Sequence, residues 1–334
     1  MTALLEVKDL TVDIPLTEGT LHPVRGISFS IRQGETLCLV GESGCGKSLT
    51  SLAIMGLLPK RAERRASVLR VGDLDISGAS WREMASVRGN TMAMIFQEPM
   101  TSLNPAYTIG NQLEEGLLRH KNVSRNEARE RAIYLLEKVG ITGAAGRLKQ
   151  YPHQLSGGLR QRVMIAMALM CGPGLIIADE PTTALDVTIQ AQILLLLAEL
   201  QREFQMALLL ITHDLGVVAR VADRVAVMYA GQIVEQGTAS EVFERPLHPY
   251  TRGLMACIPV PGKTPPGSHL GSIPGLVPSL IGDLPGCAFR QRCKYAKAEC
   301  ASYDNLREQG EGRAYRCIMS PEETQRVGEL EQAT

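Results

Sequence analysis

Along residues 1–243, short apolar runs alternate with amphipathic stretches. Residues 3–8 (ALLEVK) and 27–31 (ISFSI) predict strands leading into a turn at Gln33, Gly34 and Glu35. Residues 36–40 (TLCLV) predict a short buried strand that runs into a glycine-rich turn, and residues 49–57 an apolar helix. Two further strands are expected over 68–76 and 91–96. From 112 to 139 the pattern becomes helical and more polar, with 127–131 on a solvated face, which predicts a helical subdomain over about 100–170. Strands over 174–178, 207–212 and 225–229 then alternate with helices, as in a parallel sheet with crossover connections. The strongest apolar runs, 193–198 and 206–211, suit a buried helix and a buried strand. No window approaches the ~18 apolar residues of a membrane span, so work at a membrane would go through a partner. Beyond 243 the texture changes: Pro259, Pro261, Pro265, Pro266, Pro274, Pro278 and Pro285 predict an extended, irregular segment. The chain therefore divides into an α/β domain, 1–243, and a C-terminal extension, 244–334.

Composition narrows the classes further. The chain has 334 residues, 45% of them hydrophobic and 21% charged, with a formal net charge of +0. That balance lacks the basic footprint of broad nucleic-acid binding. The first ten residues carry acid and no long apolar core, so no secretory signal is expected. Without one, a disulfide framework among the 8 cysteines is not expected either.

The candidate chemistry begins at Gly41, Glu42, Ser43, Gly44, Cys45, Gly46, Lys47 and Ser48, which fit G-x-x-x-x-G-K-[ST] between a strand and a helix. In that pattern the glycines let the backbone wrap phosphates, the lysine meets the β/γ oxygens and the serine hydroxyl ligates Mg²⁺. Cys45 is a small filler there. Asp179 ends the apolar strand 175–178 and places a carboxylate beside that Mg²⁺, while Glu180 follows where it could polarise an attacking water. His213 ends the apolar run 208–212 as a candidate γ-phosphate sensor. A second phosphate-suited helix start lies at Ser156, Gly157 and Gly158, in LSGGLRQR. Since the chain already has one phosphate loop, this second one is expected to serve the nucleotide of another subunit.

Taken in order, GESGCGKS, Gln97, LSGGL, LIIADEP, the loop Ala184-Leu185-Asp186 and His213 resemble the ATP-binding-cassette (ABC) ATPases over residues 1 to about 240. The resemblance implies a RecA-like phosphate-loop core with antiparallel β and helical subdomains, ATP and Mg²⁺ as cofactors, and a head-to-tail ATPase dimer. In that dimer Lys47, Ser48, Gln97, Asp179, Glu180 and His213 of one subunit would face Ser156, Gly157 and Gly158 of the other. Glu180 and His213 would be catalytic, and Ser48, Gln97 and Asp179 would hold Mg²⁺. Two departures stand out. Leu159 occupies a position where glutamine is common, and 17–23 lacks the aromatic that usually stacks on adenine, leaving Leu21 or His22 to replace it.

QEPMTSLNP (97–105), residues 151–169, 178–194 and HPYTRGL (248–254) are similar to the bacterial oligopeptide, dipeptide and nickel importers. That similarity implies a second, related ATPase chain, two permease subunits, an extracytoplasmic solute-binding protein and a peripheral place on the cytoplasmic face of the inner membrane. Cys287, Cys293, Cys300 and Cys317, spaced C-x5-C-x6-C-x16-C, lack the close pairs favoured by structural zinc. Four thiolates on loops also suit a [4Fe–4S] cluster, which this importer subfamily carries at matching cysteines; zinc and unligated thiols are the alternatives. The competing function is a soluble, non-transport ABC ATPase acting on nucleic acid, against which stand the single cassette and the neutral charge.

Overall fold

The computed structural model describes residues 3–182, 186–257, 272–310 and 312–332. Its centre is a run of five parallel strands in the order Arg224–Tyr229, Thr36–Val40, Ala207–Ile211, Leu175–Asp179 and Met92–Ile95. These strands read as continuous apolar runs because both faces are covered. The period of two divides them between two cores. Leu37, Leu39, Leu209, Ile211, Leu175 and Ile177 join one buried cluster; Cys38, Val40, Leu208, Leu210, Ile176 and Ala178 join the other.

The first cluster is closed by an antiparallel sheet in the order Gly19–Arg32, Ala3–Leu16, Val68–Val71 and Leu74–Asp75, with Glu63–Arg65 also pairing to Ala3–Leu16. Two strands are far longer than expected, and the expected strand over 68–76 is a hairpin broken at Gly72, whose φ is 56°. Helices close the second cluster. The expected helical stretch 112–139 is two helices, Ile109–His120 and Arg125–Lys138. The break follows from Ser124, whose side chain and Glu127 form a capping box that starts the second helix. Among the described residues no helix is long and apolar enough to cross a membrane.

The extension is less irregular than its prolines predict. Ala314–Tyr315 pairs antiparallel with Gln232–Thr238 and carries Arg307–Glu308 at the sheet edge, and Pro321–Gln332 is a helix. Leu280, Ala288 and Phe289 belong to the same buried cluster as the central sheet. A proline-rich stretch cannot build its own core, so it gains order by using that of the α/β domain. Pro259, Pro261, Pro265 and Pro266 lie outside the described residues.

Candidate functional site

The fully buried strand Thr36–Val40 delivers the chain into the loop 41–46, and the helix Lys47–Met55 takes it away. Two glycines make that path sterically allowed. A Cβ on Gly41 would stand 2.1 Å from the Met228 carbonyl oxygen, and one on Gly46 would stand 2.0 Å from that of Pro23. Both have positive φ, 154° and 107°. The Lys47 ammonium donates to the carbonyls of Gly41 (2.9 Å) and Glu42 (3.0 Å). Ser43 and Gly44 are exposed at the loop tip. Cys45 is fully buried, and burial pushes its thiol pKa up, so it acts as a small apolar filler.

Helix and sheet bring the loop against the acidic strand end. Ser48 Oγ donates to Asp179 Oδ1 at 3.0 Å, and Ser51 Oγ donates to Asp179 Oδ2 at 3.2 Å. Burial raises the Asp179 pKa, against these two bonds that lower it. A buried carboxylate held above its usual range beside a hydroxyl suits a cation, which would reverse the shift. Mg²⁺ needs only one or two such protein oxygens because substrate phosphates and water supply the rest. Glu180 has a left-handed backbone, φ 43°, anchored by its N–H to the Ile211 carbonyl at 2.9 Å. Strained backbone of this kind collects at functional sites. Its carboxylate accepts from Gln97 Nε2 at 3.2 Å and lies 3.7 Å from His213 Nδ1. An open cleft joins Ser48 and Asp179 to Phe96, Gln97, Glu98 and Thr101. The structure therefore gathers Lys47, Ser48, Gln97, Asp179, Glu180 and His213 at one end of the sheet.

Ser156, Gly157 and Gly158 sit elsewhere. Ser156 caps the helix Gly157–Leu169, its exposed hydroxyl accepting the Leu159 N–H at 3.4 Å. That helix packs on Pro99–Ser102, Ile109–His120, Arg125–Lys138 and the strand Met92–Ile95. Ala184 and Leu185 lie outside the described residues; Asp186 caps the helix Val187–Phe204. At the two positions expected to replace the adenine-stacking aromatic, Leu21 forms a bridge with Ile281, and His22 Nδ1 stands 2.6 Å from Asp13 Oδ1, so that ring is engaged by a carboxylate.

The strand Gln232–Thr238 and the extension supply groups that the sequence reading missed. Glu235, wholly buried, accepts the N–H groups of Leu247 (2.7 Å) and His248 (2.8 Å). Burial pushes its carboxyl up to about 7, against those donors and Arg313. Neutral His248 accepts the Tyr250 N–H at Nδ1, 3.0 Å, and Tyr250 Oη accepts the Glu42 N–H of the phosphate loop at 2.9 Å. The HPYT segment had been singled out only by resemblance; the polar residues before an apolar helix carried no local sign of burial. Cys287, Cys293, Cys300 and Cys317 are free thiols that line one small cavity with His248 and Tyr303. Burial pushes Cys287 up to about 11 and also raises Cys293 and Cys317, with the neighbouring thiols adding to each shift. Among the described residues no three His, Cys, Asp or Glu side chains are placed to hold a single metal ion.

The wrapped glycine loop, its lysine, the Ser48–Asp179 pair and a carboxylate between glutamine and histidine define a phosphate-loop nucleoside triphosphatase. The chain matches the ABC transporter family over residues 24–183 and the oligopeptide/dipeptide transporter C-terminal region over 234–300. It is 52% identical to the dipeptide transport ATP-binding protein DppD of Bacillus subtilis, over 90% of this chain and 89% of that protein. It is 49% identical to the oligopeptide transport ATP-binding protein OppD of Escherichia coli, over 96% and 94%. Among solved structures it is similar to the dimeric, post-hydrolysis ATP-binding cassette MJ0796 bound to ADP and Pi, with TM-score 0.63, 26% identity, and coverage of 70% of this chain and 98% of that one. The chain belongs to the ABC ATPases, in the branch of oligopeptide/dipeptide transporter ATP-binding subunits.

Proposed function

We propose that this chain is the ATP-hydrolysing subunit of an importer for di- or oligopeptides or a related small solute. The observation that carries this reading is near-full-length identity of about one half to ATP-binding proteins named for dipeptide and oligopeptide transport, tail included. Lys47 and the loop amides would hold the triphosphate, with Ser48, Asp179 and Gln97 on Mg²⁺, and bound Mg²⁺ would neutralise charge on the leaving phosphates. Glu180 would take a proton from the attacking water while His213 orients it and Gln97 fixes the carboxylate. Ser156, Gly157 and Gly158 would complete the site of a second ATPase subunit, here a homologous distinct chain; their place on a separate, exposed helix start supports that division.

Two permease subunits would dock on the Gln97 side and the helical subdomain, where Phe96 and Tyr107 are exposed, with the chain peripheral on the cytoplasmic face and a solute-binding protein outside. The four tail cysteines would hold a [4Fe–4S] cluster that orders the tail; the shared cavity supports this. The test is purification of the tagged chain from its membrane with permease and binding protein. ATPase stimulated by the binding protein with its solute, and reduced roughly 10²–10⁴-fold by Glu180→Gln, is expected. A chain that associates with nucleic acid instead, or a Glu180→Gln variant with full turnover, would refute the reading.

A further inference from the structure

Glu42 is an acid within the loop that wraps the phosphates, and a free carboxylate there would repel a nucleoside triphosphate. Its partner lies 250 residues away, in the tail. Arg292 Nη1 donates to Glu42 Oε2 at 2.6 Å and Nη2 donates to Glu42 Oε1 at 2.9 Å, a forked pair. The other donors are taken as well: Nε by the Pro274 carbonyl (2.9 Å), Nη2 also by that of Ile273 (2.9 Å), and Nη1 also by Tyr229 Oη (3.4 Å). The Arg292 side chain is only 4% exposed, and its guanidinium lies over the Tyr229 and Phe289 rings. Exposed ion pairs contribute little, but a buried, fully bonded guanidinium fork fixes its carboxylate in one geometry. Tyr250, packed against the same two rings, holds the Glu42 amide at the same point.

We propose that Arg292 is a positioning residue for the ATP site: it neutralises and orients Glu42, so that the cysteine-bearing tail presets the phosphate loop. This rests on the reading of 41–48 as the triphosphate site. Arg292 immediately precedes Cys293, which lines the thiol cavity, so this side chain joins the thiol-lined part of the tail directly to the loop.

The test is steady-state ATPase of the assembled transporter carrying Arg292→Met, alone and with Glu42→Gln. Arg292→Met is expected to raise the KM for ATP about tenfold, the scale of one charge-assisted hydrogen bond, with kcat changed far less. Adding Glu42→Gln removes the uncompensated charge and should bring KM most of the way back. High salt should shrink the single variant's defect relative to the natural chain. A purely structural role would give a defect that neither Glu42→Gln nor salt relieves, and that result, or an unchanged KM, overturns the proposal. If Arg292→Met does not fold, Arg292→Lys keeps the charge without the fork and should give a smaller KM rise, again relieved by Glu42→Gln. Lys47→Ala tests the underlying reading separately: ATP binding as tight as in the natural chain would mean that 41–48 is not the triphosphate site, and the proposal would fall with it.

Discussion

Acid should loosen the tail through a single histidine. His248 is 1% exposed, and burial, aided by the charge of Arg316, lowers its pKa from 6.5 to about 3. Its Nδ1 accepts the Tyr250 N–H, so a proton on that nitrogen would face a donor and release the turn that carries Tyr250 to the phosphate loop. The folded chain binds this proton less tightly than the unfolded chain does. The stabilisation is therefore fully present above about 6.5 and is lost as pH falls toward about 3. At pH 5 the unfolded imidazole is almost wholly protonated and the folded one is not, a penalty of about 2 kcal/mol relative to pH 8. Glu235 works in the opposite sense: its folded carboxyl, pushed up to about 7 from 4.5, gives stability that grows as pH falls through that window. The natural chain's own pH curve mixes the two, so the measurement must be a difference. His248→Asn keeps a side-chain acceptor for the Tyr250 N–H and removes the titration. Urea unfolding of both proteins at pH 8, 7, 6 and 5 should show the natural chain's advantage narrowing by about 2 kcal/mol, with the protection factor of the Tyr250 amide, corrected for the intrinsic pH dependence of exchange, falling in parallel in the natural chain alone. A stability gap that stays constant from pH 8 to 5 would show that His248 does not titrate in this way.

Gly46→Ala should abolish binding of a fluorescent ATP analogue, because its Cβ would fall 2.0 Å from the Pro23 carbonyl oxygen. Gly44→Ala, with open space around it, should cost only the roughly 1–2 kcal/mol of a left-handed backbone in a melting experiment and retain nucleotide. Chain purified without oxygen should show broad visible absorbance and bound iron, both lost in Cys300→Ser. Colourless, iron-free natural protein would rule out the cluster.

The parallel strands were legible because burial on both faces leaves continuous apolar runs, and residues 36–40, 174–178 and 207–212 fall within a residue of the strands Thr36–Val40, Leu175–Asp179 and Ala207–Ile211. The site residues around the loop were legible for a related reason: a triphosphate needs glycines and a lysine at fixed local spacing, and the sheet places every strand end on the same side. The break between Ile109–His120 and Arg125–Lys138 left a signal, Ser124 followed by Glu127, that a broad helical periodicity obscured. What no pattern announced was the tail. Arg292 meets Glu42 across 250 residues, Leu280 meets His22, and Arg25 meets Leu284, each a contact whose two halves look like ordinary surface chemistry in sequence. A segment with too many prolines for its own core can be ordered only by what it is laid against. Here it is laid against the loop 41–46 and the strand Gly19–Arg32, so the same contacts that order the tail also fall on the glycine-rich loop. That reciprocity explains why the local chemical pattern at Gly41 to Ser48 does not suffice to describe the site: its resting geometry is completed by side chains from the other end of the chain.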